Sequence, residues 1–349
     1  MAAPEAALAD YLRRECRAQS VDVLEFSRLT GGAIQDNHGL TVRMTGGTHP
    51  GEHHFVVRSD APSRIAASLD RSQEFQVLKA AHEAGLTVPQ PLWLCTDPGV
   101  LGRTFFIMQR AEGSSAPASF LKAALDPGQA RALTRRLGGE LARLHRVKPP
   151  RADLEFLTRP PEPAALHRVR SYQHALDQID EPHPVLDWAL VWLADHLPAA
   201  HDLVLCHCDF RTGNYMVRDG QLSAVLDWEF AAWSDPYEDL GWLCCRSWRF
   251  GAREREVGGL GDKTDLFAGY SAVSGHPVDG PAVEYWEIMG LVRWSVIALQ
   301  QAQRHLSGEE PSLELALTGR MLPEMEFDLL EQIGHLTAAS THRQPEAPS

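Results

Sequence analysis

Cysteine is scarce in this sequence, and none of it has the spacing that metal or redox sites use. Cys16, Cys95, Cys206, Cys208, Cys244 and Cys245 form no C-x-x-C pair, which argues against a disulfide scaffold or a zinc ribbon. A reducing cytoplasm is the expected compartment. Lysine is scarcer still: Lys79, Lys122, Lys148 and Lys263 are the only four, so 29 of the 33 basic residues are arginine. That skew, with the abundant alanine, reads as genomic composition. Positive charge is also in deficit, with a formal net charge of -13, which speaks against a broad nucleic-acid-binding surface but permits a local phosphate pocket. The opening residues lack a basic segment before an apolar core, so no signal peptide is expected. The most apolar late stretch, YWEIMGLVRWSVIALQ, is interrupted by Glu287 and Arg293 and reads as a buried helix, not a membrane span. A Walker A sequence is missing throughout, which excludes a P-loop as the nucleotide site.

What is present is an ordinary globular composition: 349 residues, 44% hydrophobic and 23% charged, enough for one large domain or two lobes. A helix is expected over 5–19 and strands over 23–29, 38–44 and 53–60. A helix over 62–85 follows, then strands over 88–95 and 104–113. Further on, helical patterns dominate at 128–147, 163–178, 183–197, 262–274, 281–306 and 322–336. One β-rich island interrupts them: LVLCH, then NYMVRDGQLSAVLDWEF, whose Asp219-Gly220 pair predicts a tight hairpin turn. The expected class is α+β, with a small β-rich lobe over 1–110 and a larger helical lobe over 111–336. The small, polar residues of 337–349 are expected to be disordered.

The stretch LVLCHCDFRTGN, residues 203–214, supports two incompatible readings. Cys206, His207, Cys208 and Asp209 all carry metal-ligating side chains. In a strand, however, Cys206 and Cys208 face one side while His207 and Asp209 face the other, which opposes a shared tetrahedral site; buried thiols packing as small apolar groups are the simpler account. The same letters contain His-x-Asp with Asn five positions after the Asp, the spacing of a phosphotransferase catalytic loop. Asp227 follows Asn214 by 13 residues, and the hairpin between them folds it back beside Asn214. Those two offer hard oxygen ligands for magnesium, leaving Asp209 to accept a hydroxyl proton and orient the hydroxyl for attack on a γ-phosphate.

The segment HCDFRTGNYMV…AVLDWEFAAWSDPYEDLGWL resembles the aminoglycoside phosphotransferase and choline kinase superfamily, most closely the kinase-like domains fused to some acyl-CoA dehydrogenases. The resemblance runs over roughly residues 25 to 300. It implies a two-lobed protein-kinase-like fold, ATP in the cleft, Asp209 as the base, Asn214 and Asp227 as Mg2+ ligands, and His207 as a brace of the catalytic loop. Asp235 and Asp239 match positions that are mainly structural. Gly31 and Gly32 would let backbone N–H groups approach phosphates, although an ordinary hairpin fits them equally; the second Gly pair, Gly46-Gly47, is read as an ordinary turn. Arg58 stands where the family usually has lysine and would pair with Glu74 on the following helix, whose alternative is an exposed helix acid. Gln109, Arg110 and Ala111 would meet the adenine from the segment joining the lobes. Cys208 replaces a family glycine, so unusual backbone angles there would strain it.

Acceptor choice is the least legible part. Arg211, Arg246 and Arg249 would meet an anionic acceptor of the hydroxyacyl-CoA type, or serve as structural arginines; Trp286 and Trp294 read as core. A polycationic aminoglycoside acceptor and a pseudokinase that binds nucleotide without turnover are the alternatives. The expected partner is a small-molecule hydroxyl acceptor, with no nucleic acid and no membrane.

Overall fold

The structure, a computed structural model, describes residues 4–29, 36–60, 68–121 and 125–341. Helix α1 (Pro4–Glu15) leads into strands β1 (Ser20–Arg28), β2 (Asp36–Thr45) and β3 (Gly51–Ser59). Helix α2 (Arg71–Glu83), β4 (Pro91–Cys95), the short α3 (Pro98–Leu101) and β5 (Phe105–Gln109) complete the first lobe. Its five strands form an antiparallel sheet in the order β1-β2-β3-β5-β4. Alternation along the strands decides what each face meets. Leu40, Val42, Phe55, Val57, Phe105 and Ile107 pack beneath Leu8 and Leu12 of α1, whereas Phe106 joins Val77 and Leu78 of α2 in the main core. Asp70 starts α2 with a reciprocal cap: its carboxylate accepts from Gln73 N–H, and the Gln73 side chain accepts from Asp70 N–H. The helix therefore begins at Arg71, well after residue 62, where the sequence pattern starts it; residues 61–67 lie outside the described segments.

The second lobe contains α4 (Pro127–Leu144), α5 (Ala164–Leu176), α6 (Pro184–Asp195), β6 (Val204–Cys206), β7 (Tyr215–Arg218), β8 (Gln221–Val225), β9 (Ala232–Ser234), α7 (Pro236–Cys244), α8 (Lys263–Ser274), α9 (Gly280–Leu306), α10 (Leu313–Gly319) and α11 (Leu322–Thr341). Helix α9 is the buried axis, with Trp286, Ile288, Met289, Leu291 and Val292 all in the core. Among the described residues no helix is long and apolar enough to cross a membrane. The β7–β8 hairpin turns at Asp219-Gly220, both at positive φ (51° and 76°), as expected of that pair.

Three features depart from the sequence pattern. Strand β6 pairs with β9, not with the hairpin. Helix α7 has no counterpart among the expected helices: every residue after Pro236 is buried, so it shows no exposed stripe to set a helical period. Helix α11 runs to Thr341, into the segment expected to be disordered, because Leu336, Thr337 and Ala338 continue a helix without a breaker.

Candidate active site

The loop of residues 207–214 runs from the end of β6 to the start of β7, and one carboxylate from α7 holds its backbone. Asp239, fully buried, accepts from the backbone N–H of His207 and of Cys208, each at 2.8 Å, and lies 3.3 Å from His145 Nε2. Asp235, at the cap of the same helix, accepts from Tyr237 N–H and lies 3.0 Å from His201 Nδ1. His207 is also fully buried. Its Nδ1 accepts from Asp209 N–H at 3.2 Å, which assigns the proton to Nε2, 2.8 Å from the Leu226 carbonyl. The imidazole thus ties the loop to the end of β8 and stays off the cleft lining; it braces the site and is not placed to touch a reactant.

Asp209 sits where three donors converge. Its Oδ1 accepts from Trp242 Nε1 at 2.8 Å and from Arg211 Nε at 3.3 Å. Asn214 directs its amide nitrogen to the Asp209 carbonyl at 2.9 Å and to Oδ2 at 2.5 Å, so its own amide oxygen points away from Asp209. Leu226 N–H donates to the Asn214 carbonyl at 2.8 Å, which sets Asp227, the next residue, beside Asn214. Asp227 takes a left-handed backbone, φ 68°, and its Oδ1 accepts from Arg58 at 3.0 Å.

Arg58 reaches this point from β3. Glu74 on α2 grips its guanidinium twice, at 2.9 Å to Nε and 2.7 Å to the terminal nitrogen, so the expected Arg58–Glu74 pair is formed. Burial disfavours the arginine's charge, but Glu74 and Asp227 outweigh it and raise its pKa. Arg71 contacts Glu74 and donates to Glu229 at 3.2 Å. Burial, reinforced by Asp227, pushes the Glu229 carboxyl up. Arg58 and Arg71 thus link the sheet lobe to the residues that follow the hairpin.

Arg58, Glu74, Asp209, Asn214, Asp227 and Glu229 line a cleft of about 2570 Å³ between the lobes, with Gln109, Arg110 and Ala111 on its sheet side. Gln109 N–H donates to the Gln90 carbonyl at 2.9 Å and Arg110 N–H to that of His54 at 3.0 Å, so both donors are engaged in the sheet. Gly31 and Gly32 lie outside the described residues.

Residues 30–276, most of the chain, match the family model of the phosphotransferase enzyme family (APH). The chain belongs to this family. Over 342 residues it is 25% identical to mouse acyl-CoA dehydrogenase family member 10, spanning 93% of this chain but 31% of that protein. The crystal structure of a provisionally named aminoglycoside phosphotransferase from Ralstonia eutropha JMP134 has a TM-score of 0.73 at 22% identity, over 94% of this chain and 97% of that one. The GDP complex of aminoglycoside 2'-phosphotransferase-IIIa has a TM-score of 0.61 at 13% identity, over 93% and 99%. These likenesses establish the kinase-like APH fold.

Within that fold the metal reading of residues 206–209 is set aside. Cys206 and Cys208 pack with Val204, Phe230 and Ala232, and burial pushes both thiols well above their ordinary value, so neither is a ready thiolate ligand. Among the described residues, His145, Cys206 and Asp239 are the one group gathered within 4.8 Å. Asp239 is already committed to the loop, and the Cys206 thiol donates to the Asp235 carbonyl. Cys208 does adopt the suspected left-handed backbone, φ 58°.

Two of the three expected acceptor arginines are engaged elsewhere. Arg246 binds Asp328 and Glu331, and Arg249 binds Glu287 and the Cys244 carbonyl. Arg211 alone of the three lines the cleft, its guanidinium 4.5 Å over the Trp248 ring. Trp286 is core, as expected, and Trp294 packs against that core, half-buried, while also lining the cleft. Sequence reasoning passed over Arg168, Trp242 and Arg293, all on the lining. Arg168 pairs with Glu238 at 3.0 Å. Arg293 lies 4.4 Å over Trp242 and contacts the Cys208 carbonyl; among the described residues no carboxylate forms an ion pair with it. Trp242 had one usable signal: it follows the anchoring Asp239 by three residues, on the same helix face.

Proposed function

We propose that this protein is an ATP- and magnesium-dependent O-phosphotransferase whose acceptor is a small anionic alcohol, with hydroxyacyl-CoA thioesters as the leading candidates. The observation that carries the reading is the meeting of Asp209, Asn214 and Asp227 at one point of the cleft, with the Arg58–Glu74 pair beside them. The donor set suits magnesium: the Asn214 amide oxygen and the Asp227 carboxylate are hard ligands. Bound there, magnesium would neutralise charge on the phosphates. Arg58 adds a permanent cation, and the carbonyl of Gln109 and the N–H of Ala111 supply adenine contacts.

The acceptor O–H gives its proton to Asp209 as its oxygen bonds to the γ-phosphorus. The bond from that phosphorus to the bridging oxygen breaks, and ADP leaves. His207 keeps the loop in register throughout. The reaction takes place in the cytoplasm, where the buried thiols remain reduced.

The anionic acceptor rests on the cleft wall beside the base. Arg168, paired with Glu238, Arg211, paired with Asp209, and Arg293, without an ion-pair partner among the described residues, stand there among Tyr172, Trp242, Trp294 and Ile297, so Arg293 is the cation left to meet an anionic group of the acceptor. A screen of MgATP consumption against hydroxyacyl-CoAs, simple hydroxy acids and aminoglycosides tests this. Turnover with the anionic alcohols, weakened at least about tenfold in KM by Arg293→Gln, is expected from loss of a buried charge contact. Turnover confined to aminoglycosides contradicts it.

A further inference from the structure

We infer that Trp242 is a positioning residue for the base, holding Asp209 so that Oδ2 is the oxygen that receives the acceptor's proton. The inference rests on the phosphotransferase reading. Of the three side-chain donors on the carboxylate, Arg211 and Asn214 belong to the same loop as Asp209. Neither ties the carboxylate by a hydrogen bond to a neighbouring helix. Trp242 comes from α7, is 2% exposed, and donates its indole N–H to Oδ1 at 2.8 Å.

The indole is itself clamped. The Arg293 guanidinium lies 4.4 Å over its ring, and Trp248 meets it edge-on at 5.0 Å and 67°. Gly241 lets α7 approach α9 closely enough for this: a Cβ there would lie 2.4 Å from Trp286 Cβ. Helix α7 therefore fixes the loop twice on one face, its backbone through Asp239 and its reactive carboxylate through Trp242. The contact is not simply an indole finding some acceptor. Trp248, Trp286 and Trp294 leave Nε1 buried with no hydrogen bond among the described residues, so this fold tolerates unpaired indoles. The N–H that is satisfied at close range meets the base. Oδ1 already accepts from two donors, Trp242 and Arg211, whereas Oδ2 accepts from the Asn214 amide alone, so Oδ2 is the oxygen with a lone pair left for the hydroxyl.

Trp242→Phe tests the role, because it keeps a ring under Arg293 and deletes the N–H. With the best acceptor from the screen, kcat should fall about tenfold or more, as expected for a lost hydrogen bond to a charged group. The Kd for MgATP and the Tm should stay close to wild type. Unchanged kcat overturns the inference; so does a fall in kcat matched by an equal loss of MgATP affinity, which marks a structural role only. A second measurement needs no turnover. In ¹⁵N–¹H spectra the Trp242 indole resonance, identified by its loss in Trp242→Phe, should move upfield in Asp209→Ala. An unmoved resonance overturns the hydrogen bond. If wild-type protein consumes no MgATP with any hydroxyl acceptor, the phosphotransferase reading fails and the positioning role falls with it, while a shifting resonance still separates that failure from a misplaced Trp242.

Discussion

Cys208 shows how one backbone angle at a single residue shapes the site. It stands beside Asp209 at φ 58°, a region a non-glycine residue enters at a cost of about 1–2 kcal/mol. The cost is tolerated because Asp239 fixes its N–H, Arg293 binds its carbonyl and the thiol is packed. Cys208→Gly should change stability by less than about 1 kcal/mol, since relief of strain offsets lost packing and a freer unfolded chain. Cys208→Val, β-branched at a left-handed angle, should cost about 2 kcal/mol or more and slow transfer; denaturant melts of the two variants check this. The need for unusual angles was legible from the replaced glycine, and Asp209, Asn214 and Asp227 from their spacing. Arg246 and Arg249 stayed open between acceptor and structural roles because their partners, Asp328, Glu331 and Glu287, lie far along the chain, where no local pattern reveals them.

At the scale of elements, the β7–β8 hairpin and α7 build the site between them. The hairpin was legible because Asp219-Gly220 satisfies a local turn rule, whereas α7 was not, because burial of every residue after Pro236 erases helical periodicity. Its anchoring carboxylate makes a pH prediction. Burial works against ionised Asp239, but the hydrogen bond and charge of His145, with the loop N–H, outweigh it and hold its pKa below the ordinary value. A depressed carboxylate stabilises the fold fully above the unfolded-state value near 3.8. That stability is lost as pH falls from there through the lower folded value. Asp239→Asn should therefore be less stable than wild type near neutrality by about 2–4 kcal/mol, from a weakened cluster of buried hydrogen bonds. The gap should narrow only below about pH 4. Chemical denaturation at stepped pH checks this, and a gap that closes already between pH 5 and 7 contradicts it.

For the whole molecule, composition was a poor guide to the cleft. The net charge of -13 averages over the entire surface, while Arg168, Arg211 and Arg293 gather on one wall from three separate segments of the chain. The two-lobed outline was readable from where strands give way to helices. The contacts joining the lobes, Arg58 to Asp227 and Arg71 to Glu229, depend on tertiary closure. The central claim is that proton acceptance and metal binding are divided between Asp209 and Asp227, and calorimetry of MgATP binding alongside single-turnover transfer measures that division. Asp209→Ala should bind MgATP within about threefold of wild type while transfer falls at least about a hundredfold, because base and nucleotide contacts are separable; Asp227→Ala should lose the magnesium-dependent part of binding. Wild-type transfer in Asp209→Ala, or unchanged MgATP binding in Asp227→Ala, would contradict the account.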